Sequence, residues 1–376
     1  QVNRQTIGRL FAGLIGGLLA VCGCTGSAAD TEPLGRGEEE LNTRPAGCSS
    51  AGVCQASVTI SNGAELSQFG AIAKDTLRLS NRALVLNLDG ERASVLSSST
   101  GGVYVGGYAK LGSALSYTSI QVDGGASLAG QAYARGSAQA QAGAQIAGGL
   151  KQNQPFFTHD VTVVPAFNMP ATFGAGVNLE PDTVRSINPG AFTTLTVKSR
   201  ASLSLAAGTY FVGSLDLEPG GKLRLANSGG PVEIHVLEQL NCKGDWLPAL
   251  AAPNVRLVYW GSNAAVLECS LPLISVVAPN AAVRIADRIN VGQVLAKSVE
   301  LGADSVTRAV PFRAFVSGPS SKRLRDLTPT EGLASCRALD GLRSPQNRDI
   351  DCRLKANGKV VETKPANNAA ARSTCS

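Results

Sequence analysis

Cysteine is the residue type with the clearest chemistry in this chain of 376 residues. Nine cysteines are present, and two of them, Cys22 and Cys24, directly follow an apolar run near the N-terminus. The others are Cys48, Cys54, Cys242, Cys269, Cys336, Cys352 and Cys375. In an exported protein such cysteines are candidates for disulfide bonds before they are candidates for metal ligands.

Separation along the chain suggests two of the disulfide bonds. Cys48 and Cys54 are close enough to close a small loop at the start of the folded part. Cys242 and Cys269 flank a long interruption of the strand pattern, which a bond between them would hold in place. The sequence therefore predicts a bond within each pair.

The cysteines of the C-terminal tail leave the pairing open. Cys336 could pair with Cys352 or with Cys375, and because an odd number follows the leader, one thiol stays free or pairs with another molecule. The chain has no Cys-x-x-Cys motif, and its histidines are His159 and His235. We therefore expect no metal site and no cofactor.

Residues that could act in catalysis do not form a recognisable constellation. Glu238 and Asp245 could be imagined as a carboxylate pair, but the acidic residues stand singly among Lys and Arg. His235 alternates with Ile234 and Val236, so we expect it to point to solvent from a strand. The sequence shows no nucleophile elbow, P-loop or dinucleotide fingerprint. We therefore expect no enzymatic activity.

Three aromatic residues, Trp246, Tyr259 and Trp260, lie around the interruption between Cys242 and Cys269. Aromatic rings on a long insertion can stack on sugars, which would favour binding of a polysaccharide. The same rings could instead fill the space between an insertion and the core beneath it. A groove lined by clustered acids and aromatics would favour a polysaccharide-binding or polysaccharide-active β-helix.

The N-terminal segment predicts export. Arg4 and Arg9 precede an apolar run over residues 10–21, which is too short for a membrane-spanning helix and suits the core of a signal peptide. Val21-Cys22-Gly23-Cys24 resembles the lipobox of bacterial lipoproteins, and this resemblance implies acylation of Cys24. Thr25 after that cysteine implies the outer membrane. Cleavage at Ser27-Ala28-Ala29 is the alternative and would give a periplasmic or secreted protein.

Composition divides the chain into segments of different character. We predict a signal peptide with lipobox at 1–24, a flexible tether at 25–47, coils at 48–150, a Pro- and Phe-rich connector at 151–190, coils at 191–317 and a basic, loosely structured Cys-containing tail at 318–376. The formal charge of +6 resides largely in the leader and this tail, so we expect no nucleic-acid partner.

Short strands dominate both coil segments. Units such as Leu203-Ser204-Leu205 and Val283-Arg284-Ile285 alternate apolar with polar residues, and turn residues separate them. Residues 101–112, with two glycine pairs, are echoed at 119–130. Strands this short must stack to be stable, so the pattern predicts an all-β protein with a right-handed β-helix, or β-solenoid. A low-complexity segment with little structure is the alternative for the Ala- and Gly-rich part.

Three stretches carry a resemblance to exported bacterial β-solenoid surface proteins. They are Phe69–Ser80, Ala207–Phe211 after Pro189-Gly190, and Val277–Ala281 together with Gly292–Val299. The chain is more distantly similar to ice-binding and adhesin-like solenoids, and residues 101–149 resemble bactofilin-type polymerising solenoids. The resemblance implies a right-handed β-helix without a characterised activity.

Together these features predict a non-catalytic, lipid-anchored envelope protein with a structural, adhesive or assembly role. Its expected partners are the membrane through the lipid anchor, cell-surface polysaccharide or other envelope proteins, and further copies of itself. Polysaccharide binding is the second hypothesis. Ice binding is the third, and ordered rows of Thr on a flat face would favour it; Thr193, Thr194 and Thr196 form one such patch.

Overall fold

Alternating apolar and polar residues give this chain strands of two to eleven residues, nearly all of which pair in parallel. The computed structural model describes residues 48–49, 52–61, 64–248, 254–271, 273–310 and 312, with a separate hairpin at 351–354 and 360–363. The predicted signal peptide, Cys24, the tether, Cys336 and Cys375 lie outside the described residues.

The described residues from 53 to 168 form fifteen strands. They are β1 (Val53–Ser61), β2 (Phe69–Ala73), β3 (Leu77–Leu79), β4 (Leu84–Asn87), β5 (Ser94–Ser97), β6 (Val103–Val105), β7 (Lys110–Leu111), β8 (Ala114–Ser116), β9 (Ile120–Val122), β10 (Ser127–Leu128), β11 (Ala132–Ala134), β12 (Ala138–Ala140), β13 (Gln145–Ile146), β14 (Leu150–Lys151) and β15 (Thr158–Asn168). Residues Leu66–Gln68 form a single 3₁₀ turn before β2.

The second half continues the same pattern with longer strands. They are β16 (Val177–Leu179), β17 (Val184–Ile187), β18 (Gly190–Val197), β19 (Ser202–Leu205), β20 (Gly208–Leu217), β21 (Lys222–Leu225), β22 (Val232–Cys242), β23 (Asp245–Pro248), β24 (Val255–Tyr259), β25 (Ala265–Leu267), β26 (Ser275–Ile285), β27 (Asn290–Val291), β28 (Val294–Leu301) and β29 (Val306–Ala309). A 3₁₀ turn lies at Asn227–Gly229, and β30 (Asp351–Leu354) and β31 (Val360–Thr363) form the separate hairpin.

The parallel pairings stack the coils on three faces. The first face holds β2, β5, β8, β11, β14 and β24 with the first parts of β18, β20, β22, β26 and β28. The second face holds β3, β6, β9, β12, β16 and β25 with the last parts of the same long strands. The shorter strands β4, β7, β10, β13, β17, β19, β21, β23, β27 and β29 form the third face. The prediction of an all-β solenoid is confirmed, with about 12 turns.

The order of coils along the solenoid differs from their order in the chain. Strand β28 pairs with β2 and β3, and β29 pairs with β4. The coil at 69–87 therefore stacks on the coil at 294–309. The two predicted coil segments form one stack, which begins at β16, runs through β29, continues with β2 and ends at β14.

A two-stranded ribbon, formed by β1 and β15, accompanies the stack. Because β14 and β16 lie at opposite ends of the stack, the chain must run back along it between them, and β15 lies on this path. It pairs antiparallel with β1. Ser57–Ile60 is therefore a strand, as predicted, but its assignment to a solenoid coil is wrong, because its partner is the connector.

Two apolar cores result from this arrangement. Inward side chains of the coils, such as Leu77, Val103 and Leu215, form the inner core. A second, outer core lies between the first face and the ribbon. It contains Cys54, Ala56, Ile60, Phe69, Ile72, Leu96, Val163, Val164, Leu237, Val258, Trp260, Val277 and Leu295. The first face is therefore buried on both of its sides, whereas the other faces cover only the inner core.

The outer core predicts a difference between two valines that both point away from the solenoid interior. Val258 on the first face is 0% exposed, and Val266 on the second face is 40% exposed. Val258→Ala should lower the free energy of unfolding by about 2 kcal/mol, because it removes buried methyl groups. Val266→Ala, the matched control, should change it by less than about 0.5 kcal/mol. Thermal and urea denaturation measure both; equal losses would show that the ribbon does not bury the first face.

Candidate functional site

The aromatic residues predicted to stack on sugars are buried. Trp246, Tyr259 and Trp260 are 3%, 2% and 1% exposed. The indole N–H of Trp246 donates to the sulfur of Cys242 at 3.0 Å, and the Tyr259 hydroxyl donates to the carbonyl oxygen of Glu238 at 3.1 Å. Of the two alternatives from the sequence, the burial contradicts stacking on sugars and fits rings that fill space within the fold, because β22, β23, β24 and β25 belong to the coils and not to an exposed insertion.

Two of the predicted disulfide bonds are present. Cys48 bonds to Cys54 across 6 positions of sequence, and Cys242 bonds to Cys269 across 27. The second bond is buried in the inner core and ties the second-face end of one coil to the following coil. Cys352 lies in β30, opposite Glu362.

Loop length predicts which disulfide stabilises the fold more. Cross-linking the longer loop should contribute about 3.5 kcal/mol to the free energy of unfolding, against about 2 kcal/mol for the shorter. The double variant Cys242→Ala/Cys269→Ala should therefore unfold at lower temperature than Cys48→Ala/Cys54→Ala. Calorimetry with and without reductant measures this difference. A lower unfolding temperature for the Cys48/Cys54 variant would contradict the expectation.

His235 occupies an unexpected environment. The sequence predicts that it points to solvent, but it is 2% exposed because the ribbon covers this part of the first face. Its ring lies 4.5 Å from the Phe167 ring of β15 and 4.9 Å from the Phe211 ring, measured between centroids. The prediction is wrong because nothing local in β22 shows that a distant segment covers its outer side.

Both ring nitrogens of His235 have partners. The indole N–H of Trp260 donates to Nδ1 at 3.0 Å, and Nε2 lies 3.0 Å from Oε1 of Glu233. Since Nδ1 accepts a hydrogen bond, the proton of the neutral ring is on Nε2 and is donated to Glu233. Burial lowers the pKa of His235, and the charge of Arg256 adds to this effect, outweighing Glu233.

Arg256 links this group to the ribbon. Its Nε and Nη2 donate to Oε1 of Glu233 at 3.0 and 2.5 Å, and its Nη1 donates to the carbonyl oxygen of Val163 in β15. Its guanidinium carbon lies 4.1 Å from the centre of the Phe312 ring. Burial alone would raise the pKa of Glu233, but the hydrogen bond from His235 and the charge of Arg256 bring that pKa below its usual value.

This buried cluster of Glu233, His235, Arg256 and Trp260 has the form of a structural contact. The imidazole is enclosed by aromatic rings, and both of its nitrogens are engaged. A histidine in this state cannot take a proton from a substrate without breaking the cluster. The hydrogen bond from Arg256 to Val163 instead holds the ribbon on the solenoid.

The cluster predicts loss of stability in mild acid. The folded state lowers the pKa of His235 below its ordinary value of 6.5, so as the pH falls through 6.5 the unfolded chain binds a proton that the folded chain does not. The free energy of unfolding should therefore decrease from about pH 7.5 to about pH 5.5.

The two histidines of the chain provide a matched comparison for this pH dependence. His235→Gln should reduce the slope of the free energy of unfolding against pH over this range. His159→Gln, at an exposed position of the ribbon, should leave the slope unchanged. Urea denaturation at a series of pH values measures both slopes, and an unchanged slope in His235→Gln would contradict the role assigned to the cluster.

The second face carries one outward row that runs along the stack. In spatial order it consists of Asn178, Thr196, Asp216, Asn241, Val266, Arg284, Glu300, Arg78, Tyr104, Gln121 and Gln139. Several of its members contact neighbours in the row. Nε of Arg284 lies 3.8 Å from Glu300, and Asn241 donates to Asp216 at 2.6 Å. Thr196 is the single threonine of this row, so the row lacks the repeated Thr that ice binding would require.

A shallow depression lies where the first face meets the second. It is lined by Tyr117, Thr118, Ser119, Arg135, Gly136 and Ser137. The guanidinium carbon of Arg135 lies 4.5 Å above the centre of the Tyr117 ring, and Arg135 also donates to the Tyr117 hydroxyl. The cation is thus engaged by its neighbour, and no acid lines the depression.

The residues that the structure describes contain neither a metal-binding cluster nor a membrane-spanning helix. Within these ranges, no three His, Cys, Asp or Glu residues lie together in a way that could hold a metal ion. No helix in the same part of the chain is long and apolar enough to cross a membrane.

Comparison with known proteins assigns no family. No family model matches the chain, and no curated protein matches its sequence. A solved structure that matches in part is an ice binding protein from an Antarctic bacterium, Flavobacteriaceae, with 11% sequence identity and a TM-score of 0.23. The match covers 64% of this chain and 79% of that one. Similarity at this level identifies neither a family nor a function.

Proposed function

We propose that this chain is an exported, non-catalytic protein of the cell envelope that presents its solenoid for a structural or adhesive role. The observation that carries the proposal is the stack of about 12 turns, with one face sealed by the ribbon and two faces left exposed. Its length is roughly 55 Å, because neighbouring strands lie ~4.8 Å apart. Such a stack offers long, regular surfaces to a partner.

The disulfide bonds support a location outside the cytoplasm. Cys242 and Cys269 are 0% and 1% exposed, and their bond lies within the inner core. Disulfides of this structural kind form and persist in oxidising compartments. They therefore favour a periplasmic, secreted or surface location.

The charges of the second face favour binding over catalysis. Lys198 pairs with Glu180 at 2.7 Å, and Lys243 lies 3.7 Å from Glu268. These pairs join adjacent coils at the edge of the face, so their carboxylates are neutralised locally. A glycosidase would instead require two carboxylates that converge on one sugar bond. We therefore propose no enzymatic activity.

A lipid anchor at Cys24 completes the proposal. Cys24 lies outside the described residues, and the support for its acylation is the lipobox-like sequence from Val21 to Cys24. The tether at 25–47 would then hold the solenoid away from the outer membrane. The membrane is thus one proposed partner, and a component of the surrounding envelope is the other.

Two neighbouring cysteines provide the test of the anchor. In cells fed a fatty-acid analogue, the unmodified chain and Cys22→Ala should be labelled, and Cys24→Ala should not. The reason is that acylation occurs on the cysteine that becomes the N-terminus after cleavage. Labelling is read by in-gel detection, and globomycin should block processing. A mature chain that begins at Asp30 and carries no label would refute the anchor.

A second candidate function is binding of cell-surface polysaccharide. One observation favours it: Tyr108 is 65% exposed on a corner of the solenoid, with its ring against Gly125 of the following coil. An aromatic residue available to a ligand is thus Tyr108, whereas Trp246, Tyr259 and Trp260 are buried.

A further inference from the structure

Tyr108 is an exposed residue with a left-handed backbone conformation, which seven other described non-glycine residues share. It lies in the turn between the second and third faces, with φ at 61° and 65% of its surface exposed. This left-handed conformation is unfavourable for residues with a side chain, and glycine is the common choice for it. The equivalent turn positions of the next two coils are indeed glycines, Gly125 and Gly143, with φ at 80° and 89°.

The ring of Tyr108 rests on the next coil. A Cβ placed on Gly125 would lie 2.8 Å from Cε1 and 2.9 Å from Cδ1 of the ring. Such a contact is too short for any side chain, so glycine is required for the ring to lie there. The ring therefore lies against the backbone of the next coil, and most of the residue stays accessible.

The two glycines extend the surface beyond the ring. Neither Gly125 nor Gly143 projects a side chain, so the corner next to Tyr108 is bare backbone over two coils. Polar residues flank it: Asp123 and Gln141 directly follow the second-face strands β9 and β12, while Ser127 and Gln145 begin the third-face strands β10 and β13. We call this surface, from Tyr108 across Gly125 to Gly143, the glycine corner.

The polar groups along the glycine corner keep unused hydrogen-bonding capacity. The Tyr104 hydroxyl donates to Oδ2 of Asp123, and Nε2 of Gln121 lies 3.4 Å from its Oδ1. A carboxylate can accept further bonds beyond these. Oε1 of Gln141 accepts the N–H of Gly124 at 3.4 Å, which leaves its amide donors for a ligand.

We infer that the glycine corner binds a pyranose unit of a neutral polysaccharide. The C–H face of the sugar would stack on the Tyr108 ring, and its hydroxyls would bond to Asp123 and Gln141. Asp123 brings a negative charge to one side of the corner, and Arg92, whose Nη1 donates to Oγ of Ser127 at 2.8 Å, brings a positive charge to the other, so we assign a neutral ligand. This inference rests on the proposed surface role and deepens it by naming a ligand class.

The test uses the full chain and three probes, cellohexaose, maltohexaose and chitohexaose, in isothermal titration calorimetry. We expect saturable binding of at least one of them. Tyr108→Ala should weaken that binding roughly fivefold or more, because the stacking surface is lost, and Tyr108→Phe should retain it. Phe157→Ala is the matched control, since Phe157 is 62% exposed but lies in the connector and not at the corner.

A second variant distinguishes loss of binding from loss of folding. Asp123→Asn should weaken binding while the unfolding temperature stays unchanged, because Asp123 lies at the surface and Asn keeps an acceptor for Tyr104. Absence of saturable binding for all three sugars would overturn the inference. Unchanged affinity in both Tyr108→Ala and Asp123→Asn would also overturn it.

The outcomes also separate this inference from the proposed anchor. If the chain is acylated at Cys24 but binds none of the sugars, the proposed ligand is refuted and the proposed envelope role stands. If the chain binds sugar through Tyr108 but is not acylated, the binding site at the glycine corner stands and the proposed lipid anchor is refuted.

Discussion

Burial of the first face on both of its sides is the constraint on which the rest of this structure depends. Because the coil order along the stack differs from the chain order, the connector must return beside the solenoid, and β15 with β1 covers the first face on this path. The outward side chains there are apolar, as at Ile72 and Leu295. The polar exception at His235 and Arg256 is tolerated because each polar group finds a partner within the cluster or in the ribbon.

The same constraint determines which surfaces are free to bind. With the first face closed, partners can reach the second and third faces and the corners between the coils. The second-face row is occupied largely by contacts among its own members, as between Arg284 and Glu300. The glycine corner differs, because Tyr108 is followed along the stack by positions without side chains. We therefore place the proposed recognition at this corner, where the next two coils present no side chain that could pair with Tyr108.

The solenoid was predictable because its strands alternate apolar and polar residues. The buried cluster around His235 was not, because a ribbon from a distant part of the chain covers it. Val283-Arg284-Ile285 alternates buried and exposed residues, which the sequence pattern predicts. In Val255–Tyr259 every residue is buried, including Arg256, and only a segment far away in the chain explains this. The sequence did contain one signal for a face that is buried on both sides. In Phe69–Ala73 both the inward and the outward positions lack polar side chains. The paired glycines near Tyr108 were visible in the sequence as repeats. The register between adjacent coils, which places the Tyr108 ring on Gly125, can be read only from the structure.

The junction between the coils at 69–87 and 294–309 determines when the fold can be completed during synthesis. Ile72 pairs with Leu295, so the first coil to emerge must wait for one of the last before its edge is covered. During that interval an unpaired parallel edge is open to other chains, as unpaired sheet edges generally are. Completion of the fold is therefore late and depends on pairing between segments that are far apart in the chain.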